Sequence, residues 1–129
     1  MSSTLPLLRV LVVNDQRAMC ELWQRIIDMA PGLACPGYAL DGDGAIQLVE
    51  QHDPDVVFMD VLMPGMSGDE ATKYIISHFP DTLVILYSAY SDSEQRAIKS
   101  GAAEFVLMPI QPDKLVALIR RVYREHRNR

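Results

Sequence analysis

At 129 residues, 49% hydrophobic and 22% charged, the chain has the size and composition of one globular domain with a core of its own. A formal charge of −5 excludes a general nucleic-acid binder, which needs clustered cations to meet phosphates. Cys20 and Cys35 lie far apart without CxxC or Cys/His spacing, which excludes a disulfide framework and a zinc site and points to reduced structural thiols.

The charge is uneven, because Arg120, Arg121, Arg124, Arg127 and Arg129 crowd the last ten residues. That basic end, about 120–129, reads either as the solvated last turns of a helix or as the start of a linker to an output module. Met1 to Pro6 lacks a basic stretch followed by an apolar one, and no apolar run approaches the roughly 20 residues needed to cross a bilayer. The expectation is a cytoplasmic protein, one domain over 1–129, with no membrane contact.

Strand-like and helix-like patterns alternate. Leu8 to Val13 is nearly continuously apolar, as in a strand buried on both faces. Met19, Leu22, Trp23, Ile26, Met29 and Ala30 recur at helical spacing and end at Pro31-Gly32. Leu33 to Leu40 reads as a weaker edge strand, interrupted by Pro36 and Gly37. Asp41-Gly-Asp-Gly44 lacks the spacing of a calcium loop and reads as a turn and helix cap; Ala45, Leu48 and Val49 follow on that helix.

Val56 to Met59 predicts a third strand, and a turn at Met63 to Gly68 leads into a helix packing Ala71, Tyr74 and Ile75. Leu83 to Tyr87 predicts a fourth strand, followed by a polar helix over 92–100 that Gly101 breaks. A short fifth strand at Phe105 to Leu107 precedes a last helix from Pro112, with Leu115, Leu118, Ile119 and Val122 facing inward.

Five strands alternating with five helices predict an α/β fold with a doubly wound, five-stranded parallel sheet of the flavodoxin-like kind. Ligands of such sheets gather at the carboxyl ends of the strands. Four strands end there with Asn14-Asp15, Asp60, Ser88 and Met108, a carboxylate pocket suited to a metal ion and a phosphoryl group. His52, His78 and His126 are scattered and carry no catalytic pattern.

The chain resembles the receiver domain of two-component response regulators over nearly its full length. The residues that carry the likeness are Asn14-Asp15, the segment Asp60-Val-Leu-Met-Pro-Gly-Met-Ser-Gly68, Ser88-Ala89, Gly101-Ala102 and Pro109. The resemblance implies that Asp60 is the phosphoacceptor and that Mg²⁺ (or Mn²⁺) is held by Asp15, Asp60 and the main-chain carbonyl of Leu62, with Asn14 acting through water. It implies that Ser88 bonds a phosphoryl oxygen and is drawn inward, that Phe105 follows, and that the fourth helix, fifth strand and fifth helix form the readout surface. A cis bond before Pro109 is implied as well. Ala89 and Tyr90 would line the mouth of the site. Leu62, apolar and two residues past Asp60, would shield an acyl phosphate from water and slow its hydrolysis. Implied partners are a histidine kinase or histidine phosphotransfer protein and a downstream output protein or domain; a homodimer is left open.

Two positions depart from the pattern. The residue before the proline is nearly always lysine in the family, whereas here it is Met108, which neither carries charge nor donates a hydrogen bond. The acidic pair holds Asn14 in place of one acid. The usual three carboxylates and one lysine sum to the same charge as Asp15 and Asp60 alone, so the two changes offset each other. The expectation is a pocket that still takes a cation but switches less strongly, since a charge-assisted phosphate contact is worth about 1.5–3 kcal/mol. The alternatives are a degenerate receiver that binds partners without phosphorylation and, more remotely, a small flavodoxin-like enzyme. The acidic Asn14-Asp15-Gln-Arg17 turn is unsuited to cradling a flavin phosphate, and Leu62 stands where an aspartyl phosphatase needs a second acid.

Overall fold

A computed structural model describes residues 7–127; Met1 to Pro6 and Arg129 of the basic end lie outside the described residues. The strands are β1 (Leu8–Val13), β2 (Leu33–Ala34), β3 (Tyr38–Ala39), β4 (Val56–Asp60), β5 (Leu83–Ser88) and β6 (Glu104–Leu107). The helices are α1 (Arg17–Met29), α2 (Gly42–His52), α3 (Gly68–His78), α4 (Glu94–Ser100) and α5 (Pro112–Arg127).

All strand pairings are parallel, in the order β2-β1-β4-β5-β6, with β3 beside the far end of β1. The expected second strand is therefore two short pieces on one edge, separated at Pro36-Gly37 because proline cannot donate to the ladder. Strands β1, β4 and β5 are apolar and buried on both faces because helices cover each side. One face packs Val10, Val12, Phe58, Ile85 and Tyr87 against Cys20, Trp23 and Ile27 of α1 and Leu115, Ile119 and Val122 of α5. The other packs Leu11, Val13, Val57, Met59 and Leu86 against Ala45 and Val49 of α2, Ala71 and Ile75 of α3, and Ala97 of α4.

Two helix faces and one helix start require correction. On α1 the buried stripe is Cys20, Trp23 and Ile27, while Leu22 and Met29 are exposed. Two overlapping apolar periodicities run along this helix, and the sheet takes the one centred on Trp23. On α3, Ala71 and Ile75 are buried but Tyr74 is exposed and stacks on His78 at 3.9 Å. The stretch expected as one helix over 92–100 begins as a 3₁₀ turn, Ser91–Ser93, before α4. Gly101 ends α4 in the left-handed region at φ 93°.

The caps that place the loops follow from sequence. Asp41 accepts from the Gly44 N–H at 2.7 Å and opens α2. Ser67 and Glu70 form a reciprocal capping box that opens α3 directly after the loop from Asp60. Cys20 and Cys35 are free and buried, and burial pushes the Cys35 thiol up to about 11.

Candidate functional site

The register places four strand ends at one level. Val13 pairs with Met59, Asp60 with Tyr87, and Ser88 with Leu107, so the residues that follow emerge side by side at the carboxyl edge. Asp15 is exposed, Asp60 is half-buried, and Asn14 and Ser88 are buried. Burial raises the Asp60 carboxyl above its ordinary range, opposed by the Leu62 N–H at 3.1 Å, and the Asp15 charge raises it further. The structure thus brings Asp15 and Asp60 into one electrostatic neighbourhood, two acids whose repulsion a cation would relieve.

Among the described residues, no group of three or more His, Cys, Asp or Glu side chains could hold a metal ion. The available donor set is two carboxylates with main-chain carbonyls nearby. That set fits a hard cation which uses one or two carboxylates and keeps its waters, and it does not fit zinc or a soft metal.

Asn14 is fastened on every side. Its N–H donates to Ala39 O, its carbonyl accepts from the Cys20 thiol at 3.2 Å, its Oδ1 accepts from the Gln16 N–H at 2.8 Å, and its Nδ2 donates to Tyr87 Oη at 2.7 Å. One side-chain N–H and one oxygen lone pair remain for solvent. Ser88 donates to Ser93 Oγ at 3.1 Å and accepts from the Tyr90 N–H at 3.0 Å. Its hydroxyl thus forms a local turn with Tyr90 and a bond to Ser93, the residue just before α4.

Phe105 and Met108 pack on opposite faces of the sheet. Phe105 packs against the cluster under α2, α3 and α4. Met108 packs, partly buried, against the apolar cluster that contains Tyr87, and a cis bond joins it to Pro109. Of the residues expected at the mouth, Leu62 is 40% exposed and Tyr90 62%, and Ala89 is exposed as well.

Two contributors, Tyr87 and Asp69, went unseen in the sequence, and Gly68, read there only as part of a turn and motif, gains a physical role. Tyr87 sits in an apolar strand and reads as core; the signal was its hydroxyl, which when buried needs a partner. Asp69 in the first turn of α3 accepts from Nη2 and Nε of Arg96 of α4, at 2.9 and 3.4 Å. Gly68 lies against the main chain of Asp60, where a Cβ would stand 2.1 Å from the Asp60 carbonyl oxygen.

A profile of the response regulator receiver domain matches residues 10–120. The chain is 35% identical over 116 residues to the chemotaxis protein CheY of Thermotoga maritima, covering 88% of this chain and 96% of that protein. It is 31% identical over 115 residues to the transcriptional regulatory protein DegU of Brevibacillus brevis, covering 88% of this chain and 49% of DegU. The chain thus spans about half the length of some curated relatives and nearly all of others. Among solved structures, the response regulator domain of Thermotoga maritima CheB aligns with a TM-score of 0.82 at 31% identity, over 92% of this chain and 97% of that one. The signal receiver domain of NarL from Mycobacterium tuberculosis aligns with a TM-score of 0.87 at 29% identity, over 93% and 98%.

Proposed function

The chain belongs to the receiver domain family of two-component response regulators, and from that premise we propose that Asp60 accepts a phosphoryl group in a phosphorelay. The observation that carries the reading is the pair Asp15 and Asp60, two carboxylates at adjacent strand ends, the Asp15 charge pressing on the half-buried Asp60. A carboxylate held half-buried at such an edge is a nucleophile aimed at a ligand arriving from solvent.

The donor is a phosphohistidine on a histidine kinase or histidine phosphotransfer protein. An Asp60 carboxylate oxygen attacks phosphorus, the new P–O bond forms as the P–N bond breaks, and the leaving imidazole takes the electron pair and a proton. Mg²⁺ (or Mn²⁺), when bound, offsets the repulsion between the carboxylate and the phosphoryl oxygens. Asp15, Asp60 and the Leu62 carbonyl are the residues that would hold it, with Asn14 reaching it through water. The chain acts as a signalling domain, with no catalysis beyond its own phosphotransfer and dephosphorylation.

Ser88 then donates a hydrogen bond to a phosphoryl oxygen, and the signal leaves through α4, β6 and α5. Exposed Ile98 and Leu107 give that face apolar contact area for an output partner, and Arg121 bridges β6 and α5 by pairing with Glu104 at 3.2 Å. With Leu62 and Tyr90 at the mouth, the acyl phosphate outlasts a half-life of seconds.

Met108 favours a second reading, in which the domain binds partners without phosphorylation, because a thioether against an apolar cluster offers the phosphate no cation. Incubation with Mg²⁺ and acetyl phosphate, followed by intact mass, separates the two. A phosphate adduct absent in Asp60→Asn supports phosphotransfer. No adduct with any donor supports the binding module.

A further inference from the structure

We propose that Tyr87 is a positioning residue of the pocket: its hydroxyl fixes the Asn14 side chain, and through it the turn that presents Asp15. Tyr87 is 3% exposed, and its ring packs against Phe58 at 4.3 Å, tilted by 31°. Its hydroxyl donates to Val13 O at 3.2 Å and receives Asn14 Nδ2 at 2.7 Å. With its proton directed at Val13, the hydroxyl offers residue 14 a lone pair, and in this arrangement the group facing it is a donor. On the other side the Gln16 N–H needs an acceptor, at 2.8 Å from Asn14 Oδ1.

A side-chain amide satisfies both demands at once, and no other side chain of this length does so without moving a proton. With the Tyr87 proton on Val13, Asn14 thus meets both groups as they stand. The bond from Gln16 N–H to Asn14 Oδ1 closes a turn around Asp15, and Gln16 is also the N-cap of α1 with no side-chain cap bond. Tyr87, 73 residues away from Asn14 in the chain, therefore sets the backbone that aims the Asp15 carboxylate. Asn14, Tyr87 and Met108, whose side chain packs on the cluster containing Tyr87, are three neutral residues on one side of the pocket. The consequence for a cation rests on the phosphoacceptor reading above.

Amide hydrogen exchange and Mn²⁺ titration of the whole chain, both followed by NMR, test this in Tyr87→Phe, Asn14→Ala, the double variant and Asn14→Asp. Tyr87→Phe and Asn14→Ala are each expected to speed exchange at Gln16 at least tenfold relative to Leu11 and Phe58 in the same sample. The double variant should be no faster than the faster single variant. Asn14→Asp should keep Gln16 protected, because a carboxylate still accepts its N–H. Each of the first two should also weaken Mn²⁺ binding at least threefold, again without adding. Unchanged Gln16 protection in folded Tyr87→Phe would overturn the link to Asn14, and lost protection with unchanged Mn²⁺ affinity would overturn its reach to Asp15. A wild type that binds no Mn²⁺ counts against the phosphoacceptor reading, and the Gln16 pattern then decides the Tyr87 link alone.

Discussion

The hydroxyl of Ser88 lies 3.1 Å from that of Ser93, so the strand that ends at the pocket is bonded directly to the N-cap of α4. Both residues are buried, so water does not compete for the bond. On the proposed reading, a phosphoryl oxygen on Asp60 would accept the same Ser88 hydrogen bond and so release Ser93. The pocket and α4 would then compete for one hydroxyl.

Removing the competitor should favour the phosphorylated arrangement. A neutral hydrogen bond contributes about 1 kcal/mol net, roughly a fivefold change in an equilibrium. Ser93→Ala is expected to bind a fluoroberyllate phosphate mimic, with Mg²⁺ present, about fivefold tighter than wild type, and Ser88→Ala several-fold weaker. Equal affinity of Ser93→Ala and wild type would show that the two hydroxyls are not coupled to the pocket.

Gly68 should tolerate no side chain. A Cβ there would stand 2.1 Å from the Asp60 carbonyl oxygen and 2.9 Å from its carbon, both main-chain atoms that cannot rotate away. The Gly68 N–H also donates to Val61 O at 2.8 Å, which pins the loop to the end of β4. Gly68→Ala is expected to cost about 2 kcal/mol or more in urea denaturation and to lower the yield of phosphate adduct, because Asp60 must move to make room. A folded variant with full stability and full adduct would contradict the crowding.

Those relationships show which parts of the molecule the sequence exposes. Strands β1, β4 and β5 were legible because burial on both faces demands continuous apolar runs, and the strand ends then located Asp15, Asp60 and Ser88. The face of α1 was not, because Leu22 and Met29 fit a helical stripe as well as Cys20 and Ile27 do, and only the sheet chooses. Tyr87 was hidden for a different reason: a tyrosine in an apolar strand looks like packing until the partner of its hydroxyl is known. Asn14 likewise looked like a missing charge, whereas its four hydrogen bonds are visible only in three dimensions.

The pair Asp69 and Arg96 makes a pH prediction. Burial raises the Asp69 carboxyl, but hydrogen bonds from Ser67 and Arg96 and the Arg96 charge outweigh it and hold the group below its ordinary 3.8. A folded value lower than the unfolded one means that the stabilisation is complete above the unfolded value and is lost as pH falls through the folded one. Arg96 is half exposed, so the pair is worth only about 1 kcal/mol. Arg96→Gln is expected to lose about that much at neutral pH and to show a flatter fall in stability below about pH 4, measured by urea denaturation across the range. A variant whose acid profile parallels that of wild type would mean that Arg96 does not set the Asp69 carboxyl.

The two departures from the family pattern make opposite predictions for cation binding. Asn14→Asp adds a third carboxylate to Asp15 and Asp60, and Tyr87 can turn its proton from Val13 to meet the new charge at the distance now spanned by Asn14 Nδ2. Met108→Lys adds an ammonium at the end of a flexible stem whose base lies on apolar surface, so its effect is smaller. Mg²⁺ affinity should rise about tenfold in the first, a coupling of roughly 1.4 kcal/mol at the screening expected of a half-exposed site, and fall about threefold in the second. Trp23 provides the readout: its ring meets Phe58 edge-on at 5.5 Å, Phe58 packs against Tyr87 at 4.3 Å, and the Tyr87 hydroxyl touches Asn14. Restoring both residues together should return the affinity toward the wild-type value while strengthening the grip on a fluoroberyllate mimic, because the lysine then meets the phosphoryl oxygens that Met108 cannot. If neither single variant moves the Mg²⁺ midpoint, the neutral pair at 14 and 108 has no part in setting the charge of the pocket.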